Sequence, residues 1–185
     1  WEVADQRFVD NRPDVLTFTS APLDHDVVVT GPIAAALYAS TSGTDADFVV
    51  KLIDVYPENG QKSADDITPA KPSGYTDSLN GYELPIAMEV RRGRYLHSYE
   101  HPQSLTANQP AKWDIPLRDH DHVFLKGHRI MVQVQSTWFP VIDRNPQKFV
   151  PSIYQATAAD FVPATQRVYS TPQMPSHIVL PIVAH

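Results

Sequence analysis

Three histidines and two aspartates crowd the stretch RDHDHVFLKGH, residues 118–128. On an extended strand, residues two apart share a face, so His120 and His122 point the same way. That spacing can serve a metal, with Asp121 and His128 close by. No third ligand is fixed beside the pair. The plainer reading is a solvated strand edge, with His128 capping the next turn. The turn TDAD, residues 44–47, sets Asp45 and Asp47 close together. Such carboxylates can ligate calcium, but Asp-rich turns more often satisfy backbone N–H groups. The sequence assigns no metal and no cofactor to either cluster. Five arginines, Arg91, Arg92, Arg94, Arg129 and Arg144, complete the charged constellation. They either stand in solvent or pair with Asp54 or Asp143 in the core or at an interface.

Catalytic motifs are absent. No serine has glycine two positions before it, so there is no Gly-x-Ser-x-Gly elbow. Ser-x-x-Lys, His-Glu-x-x-His, Walker A and Gly-x-Gly-x-x-Gly patterns are missing too. There is no cysteine, which excludes disulfides and thiolate chemistry within these residues. A net charge of −6 and the lack of a Lys/Arg run argue against a nucleic-acid binder. No apolar stretch is long enough for a membrane helix.

The elements that must position these groups read as strands. With 17 prolines against 7 glycines, long helices are disfavoured and many strand ends are expected. Residues 1–14 show little periodicity and read as an arm or linker from an upstream domain. The chain starts at Trp1, which reads as a processed or chosen end. Strands are expected at 15–19, 26–31, 33–40, 47–57, 82–90, 91–95, 111–117, 128–136, 165–170 and 176–183. The pair Gly31-Pro32 is read as a break between two strands. Segment 47–57 is apolar on both faces, which predicts a central strand covered on both sides. Asp54 shares a face there with Phe48, Val50 and Leu52. A buried charge needs a partner, so an arginine or a backbone N–H is expected on it. Residues 58–81 read as a long polar loop, and a short helical turn is expected near 154–160. The count and spacing fit an all-β antiparallel sandwich or jelly roll over 15–185.

The stretches APLDHDVVVTGPIAAALYASTSGTDADFVVKLIDVYP (21–57), RGRYLHSYEHP (92–102), HVFLKGHRIMVQVQSTWFPVIDRNP (122–146) and PSHIVLPI (175–182) carry a resemblance. They are similar to the C-terminal domain of a serine-hydrolase family. That family includes X-Pro dipeptidyl-peptidases, cocaine esterase, glutaryl-7-ACA acylases and α-amino-acid ester hydrolases. Trp138-Phe139 and GTDADFVVKLIDVYP (43–57) look most similar to the ester hydrolase and acylase branch. The resemblance implies a jelly-roll β-sandwich of galactose-binding-like topology. It implies a Ser-Asp-His triad in an upstream α/β-hydrolase domain, so no catalytic residue falls here. A periplasmic or secreted location is leaned to by the resemblance alone. Segment 58–81 departs from the family pattern, which is shorter there.

The stretch STWFPVIDRNPQKFVP (136–151) follows a strand whose second face, Arg129, Met131, Gln133 and Gln135, is semi-polar, which suits an interface with a partner. Trp138 and Phe139 offer rigid apolar area, and Asp143, Arg144 and Asn145 offer directed hydrogen bonds. This corner is expected to dock on the hydrolase domain and help shape its substrate pocket. The competing expectation keeps Trp138 in the local core and pairs Arg144 with Asp143. A rival function is a jelly-roll carbohydrate-binding module, with Trp1, Trp113, Trp138 and the tyrosines as stacking faces. The sequence leaves a homo-oligomer open.

Overall fold

The computed structural model describes residues 4–58 and 79–184. Trp1 and most of the 58–81 loop expectation lie outside the described residues. The chain forms two antiparallel sheets packed as a β-sandwich. One sheet has the order β1-β6-β3-β4, from Val15–Thr19, Arg129–Gln135, Asp47–Val55 and Glu83–Arg92. The other has the order β5-β2-β7-β8, from Ala111–Phe124, Val27–Thr41, Gln166–Thr171 and Met174–Pro175. A short β9, His177–Val179, also pairs with β2.

The core lies between the sheets. Phe48, Val50 and Leu52 of β3 meet Val29, Leu37, Ile115 and Trp113 of the opposite sheet. Phe48 and Trp113 pack edge-on, with ring centroids 4.8 Å apart. The Trp113 Nε1–H donates to the Ala39 carbonyl at 3.3 Å, so the buried indole stays satisfied. β3 is buried on both faces, because its outer face is covered by the chain's own N-terminal segment. There a 3-10 turn over Gln6–Val9 inserts Gln6 and Val9. Asp10 accepts from Gln133 Nε2 at 3.0 Å, and Asp5 accepts from the Glu83 N–H at 3.3 Å.

Several expected boundaries move. The two segments 26–31 and 33–40 are one strand, β2, running through Gly31-Pro32. Gly31 takes φ 120°, and the register with β5 shifts between Ile33 and Ala34. Proline is tolerated in a strand at such an irregularity. β5 runs to Phe124 rather than stopping at Leu117. Arg118 adopts φ 70° at the bulge, which changes the residue parity that faces inward. Trp113, Ile115 and Leu117 point to the core before it, and Phe124 after it. In 91–95, Arg91 and Arg92 end β4, and Gly93–Tyr95 turn into a 3-10 helix. The helical turn near 154–160 is two short 3-10 turns, Ile153–Gln155 and Ala158–Asp160.

Candidate domain-docking site

The TDAD turn is not an open ligand site; it is tied down by arginines. Asp45 is fully buried, and its Oδ2 accepts from Arg94 Nε at 3.0 Å. Arg94 also donates to the Val150 carbonyl and lies over the Phe149 ring. Asp47 is buried as well, with Arg92 Nε 3.3 Å from its Oδ2 and Asn145 Nδ2 donating to Oδ1 at 3.0 Å. Burial pushes the Asp47 carboxyl up to about 6, against the pull of Arg92 and Asn145. Arg92 Nη2 reaches on to the Asp143 carbonyl at 2.9 Å. The Asn145 Oδ1 accepts from the Gln147 N–H at 2.8 Å, and Gln147 O accepts from Thr44 N–H at 3.0 Å. Asp45 and Asp47 therefore brace the base of the 136–151 loop.

The bulge in β5 turns His122 inward onto Asp54. His122 Nε2 and His128 Nδ1 each lie 2.9 Å from a carboxylate oxygen of Asp54. A carboxylate only accepts, so both ring nitrogens carry the proton. The partner of Asp54 is thus a histidine pair rather than the expected arginine or backbone N–H. No signal of residue type could have chosen it, because it depends on the bulge. His120 contacts the Leu117 carbonyl instead, at 2.9 Å. His128 is buried against Asp54 and the Tyr56 ring, which corrects its reading as a turn cap. Among the described residues, no group of three His, Cys, Asp or Glu side chains is arranged to hold a metal ion.

The loop corner itself separates into supports and exposed groups. Asn145 is buried and serves the base described above. Trp138 is half-buried, and its ring lies 5.8 Å from Lys51 Nζ. Phe139, Asp143 and Arg144 are exposed, with Phe139 64% exposed. The Arg144 guanidinium sits between two rings, 5.6 Å from Phe139 and 5.5 Å from Phe161. Phe161 is 40% exposed. Among the described residues Arg144 has no ion pair, and Asp143 does not pair with it. Phe139 also rims a cleft of about 450 Å³ whose walls include Phe8 and Trp138. Arg129 donates to the Ser20 carbonyl at 2.8 Å, away from this corner. The face of Met131, Gln133 and Gln135 that looked suited to a partner is buried. Asp10 of the N-terminal segment holds Gln133 there.

Residues 3–179 match the model of the X-Pro dipeptidyl-peptidase C-terminal non-catalytic domain. The chain belongs to this domain family. It is 34% identical to cocaine esterase from Rhodococcus sp. (strain MB1 Bresler), over 97% of this chain and 27% of that protein. An α-amino acid ester hydrolase of known structure superposes with a TM-score of 0.87 at 49% identity. That match covers 99% of this chain and 28% of the hydrolase. An aminopeptidase from the marine sediment archaeon Thaumarchaeota archaeon also gives a TM-score of 0.87, at 42% identity. It covers 100% of this chain and 28% of that one. The chain thus spans little more than a quarter of these relatives. The family's non-catalytic character agrees with the missing nucleophile elbow. Trp113 lies sealed in the core, which removes one of the stacking faces a sugar-binding module would use.

Proposed function

We propose that these residues form the C-terminal accessory domain of a serine hydrolase that cleaves an ester or amide through an acyl-enzyme. The catalytic α/β-hydrolase domain lies upstream, and the Trp138–Asn145 corner packs on it and helps shape the substrate pocket. The observation that carries this reading is the Phe139–Arg144–Phe161 ridge. Exposed aromatic rings and an arginine are the side chains that anchor protein interfaces. Burying the ridge removes apolar area from water, and the guanidinium can meet two acceptors at once. Asp143, the preceding residue, is exposed, and its carbonyl is held by Arg92. Asn145 and Asp47 stiffen the loop, which lowers the ordering cost of docking.

The test is Arg144→Ala in the full-length protein. Loss of an interface anchor costs about 1–2 kcal/mol, or roughly a tenfold change. We expect kcat/KM to fall by about that factor while residues 4–184 stay folded. Unchanged kcat/KM together with unchanged association of the two domains would sink the reading.

A further inference from the structure

Among the described residues, Lys51 is a buried cation without an anion. It sits in the middle of β3 on the outer face, and only 2% of it is exposed. Its Nζ donates to Gln6 Oε1 at 2.6 Å. Nearby lie the faces of Trp138, at 5.8 Å, and Phe8, at 6.0 Å. Among the described residues no carboxylate stands within ion-pair distance of it. An ammonium has three N–H donors, and among the described residues Gln6 is the acceptor it meets. Burial, with Arg12 adding repulsion, pulls the amine down to about 8. A buried lysine in such a setting is costly unless a charge partner arrives.

Lys51 lines the open cleft that Phe8, Trp138 and Phe139 wall. The same cleft is lined by Gln135, whose Oε1 is buried beyond the reach of an occupant. The charge that an occupant meets is therefore the Lys51 ammonium, and an acidic side chain carried on a docked segment meets it with its carboxylate. The chain spans 27–28% of relatives of known length, so most of such a protein is available to supply that segment. Phe139 belongs both to the cleft and to the Arg144 ridge, which makes the two surfaces continuous.

We infer that the cleft receives an Asp or Glu side chain from a segment outside these 185 residues, and that Lys51 is its counter-ion. This rests on the docking reading above and names the chemistry of the docked partner. The ion pair would form only on docking. Lys51 is thus a positioning residue that fixes the register of the interface.

Two measurements on the full-length protein test it. The first is the double variant Gln6→Leu/Lys51→Met, which replaces the polar pair by apolar groups of similar length. If an outside carboxylate sits on Lys51, the variant strands that carboxylate, and the melting temperature falls by several degrees. If no carboxylate is there, removing an unpaired buried charge leaves the melting temperature unchanged or raises it. The second is zero-length carbodiimide cross-linking followed by peptide mass spectrometry. The expected product is an amide between Lys51 and an acidic residue outside residues 1–185. Changing that acid to its amide should then reproduce the fall seen for the double variant. A melting temperature at or above wild type, or a Lys51 cross-link to an acid within residues 1–185, overturns the inference. If it is overturned while Arg144→Ala still lowers kcat/KM, docking stands without this anchor. If Arg144→Ala is silent too, the docking reading falls with it.

Discussion

Asp45 and Arg94 form a fully desolvated pair, and each has a second tie to the backbone. Removing one member leaves the other charge buried alone, which costs about 3–5 kcal/mol. Asp45→Ala should therefore lower the urea midpoint sharply and loosen the Val150 region. Asp45→Leu with Arg94→Met should cost much less than Asp45→Ala, because no lone charge remains. Parallel denaturation curves decide this; equal losses would show that the charges themselves are not the cause. At this scale the sequence was legible in part. That Asp54 faces inward followed from its parity with Phe48, Val50 and Leu52. Its histidine partners did not follow, because His122 reaches it only through the Arg118 bulge. The pairing of Asp45 with Arg94 spans 49 positions, and nothing local marks it.

The turn at Gly93 shows how elements constrain one another. Its N–H donates to the Ala46 carbonyl at 2.7 Å. A Cβ there would stand 2.7 Å from Ala46 O and 2.9 Å from the Trp113 ring. Neither a backbone carbonyl nor a packed indole yields easily. Gly93→Ala should cost about 1–3 kcal/mol, read as a shift in unfolding midpoint. A neutral result would mean that the β4 end and the TDAD turn are not locked together. The N-terminal segment gives a pH-dependent prediction. Burial and a hydrogen bond with Asp10 push the Glu83 carboxyl up to about 8. The folded chain then holds a proton that the unfolded chain releases above about 4.5. Stability from this group is present at low pH and is lost as pH rises through about 8. Glu83→Gln should flatten that decline, so its melting temperature exceeds wild type at pH 9 and approaches it near pH 5. A wild-type decline that persists unchanged in Glu83→Gln would show that the segment is held some other way. Asp47 acts in the same sense over a lower window, between about 4 and about 6. β3 and β6 were readable as strands, β3 because it is apolar on both faces and β6 because Ile130, Val132 and Val134 alternate with a semi-polar face. The continuity of β2 was not, since Gly31-Pro32 looks like a turn until the bulge beside it is known.

For the whole molecule, one sandwich carries two contrasting surfaces. One outer face is closed by the chain's own N-terminal segment, and the corner beside it is left open and aromatic. The semi-polar face of β6 was expected to meet a partner, yet Gln133 and Gln135 are buried. The pattern of residue types could not separate a partner domain from a nearby stretch of the same chain, because both cover a strand equally well. The corner survives as an exposed surface on which, among the described residues, an arginine without an ion pair lies against two aromatic rings. The account stands on that corner being covered in the full-length protein. Hydroxyl-radical footprinting of the intact protein measures this directly, residue by residue. We predict that Phe139 and Phe161 are oxidised at less than about a tenth of their rate in the unfolded protein, far slower than solvent exposure in this domain would allow. Oxidation of both rings at near the unfolded rate would contradict the account.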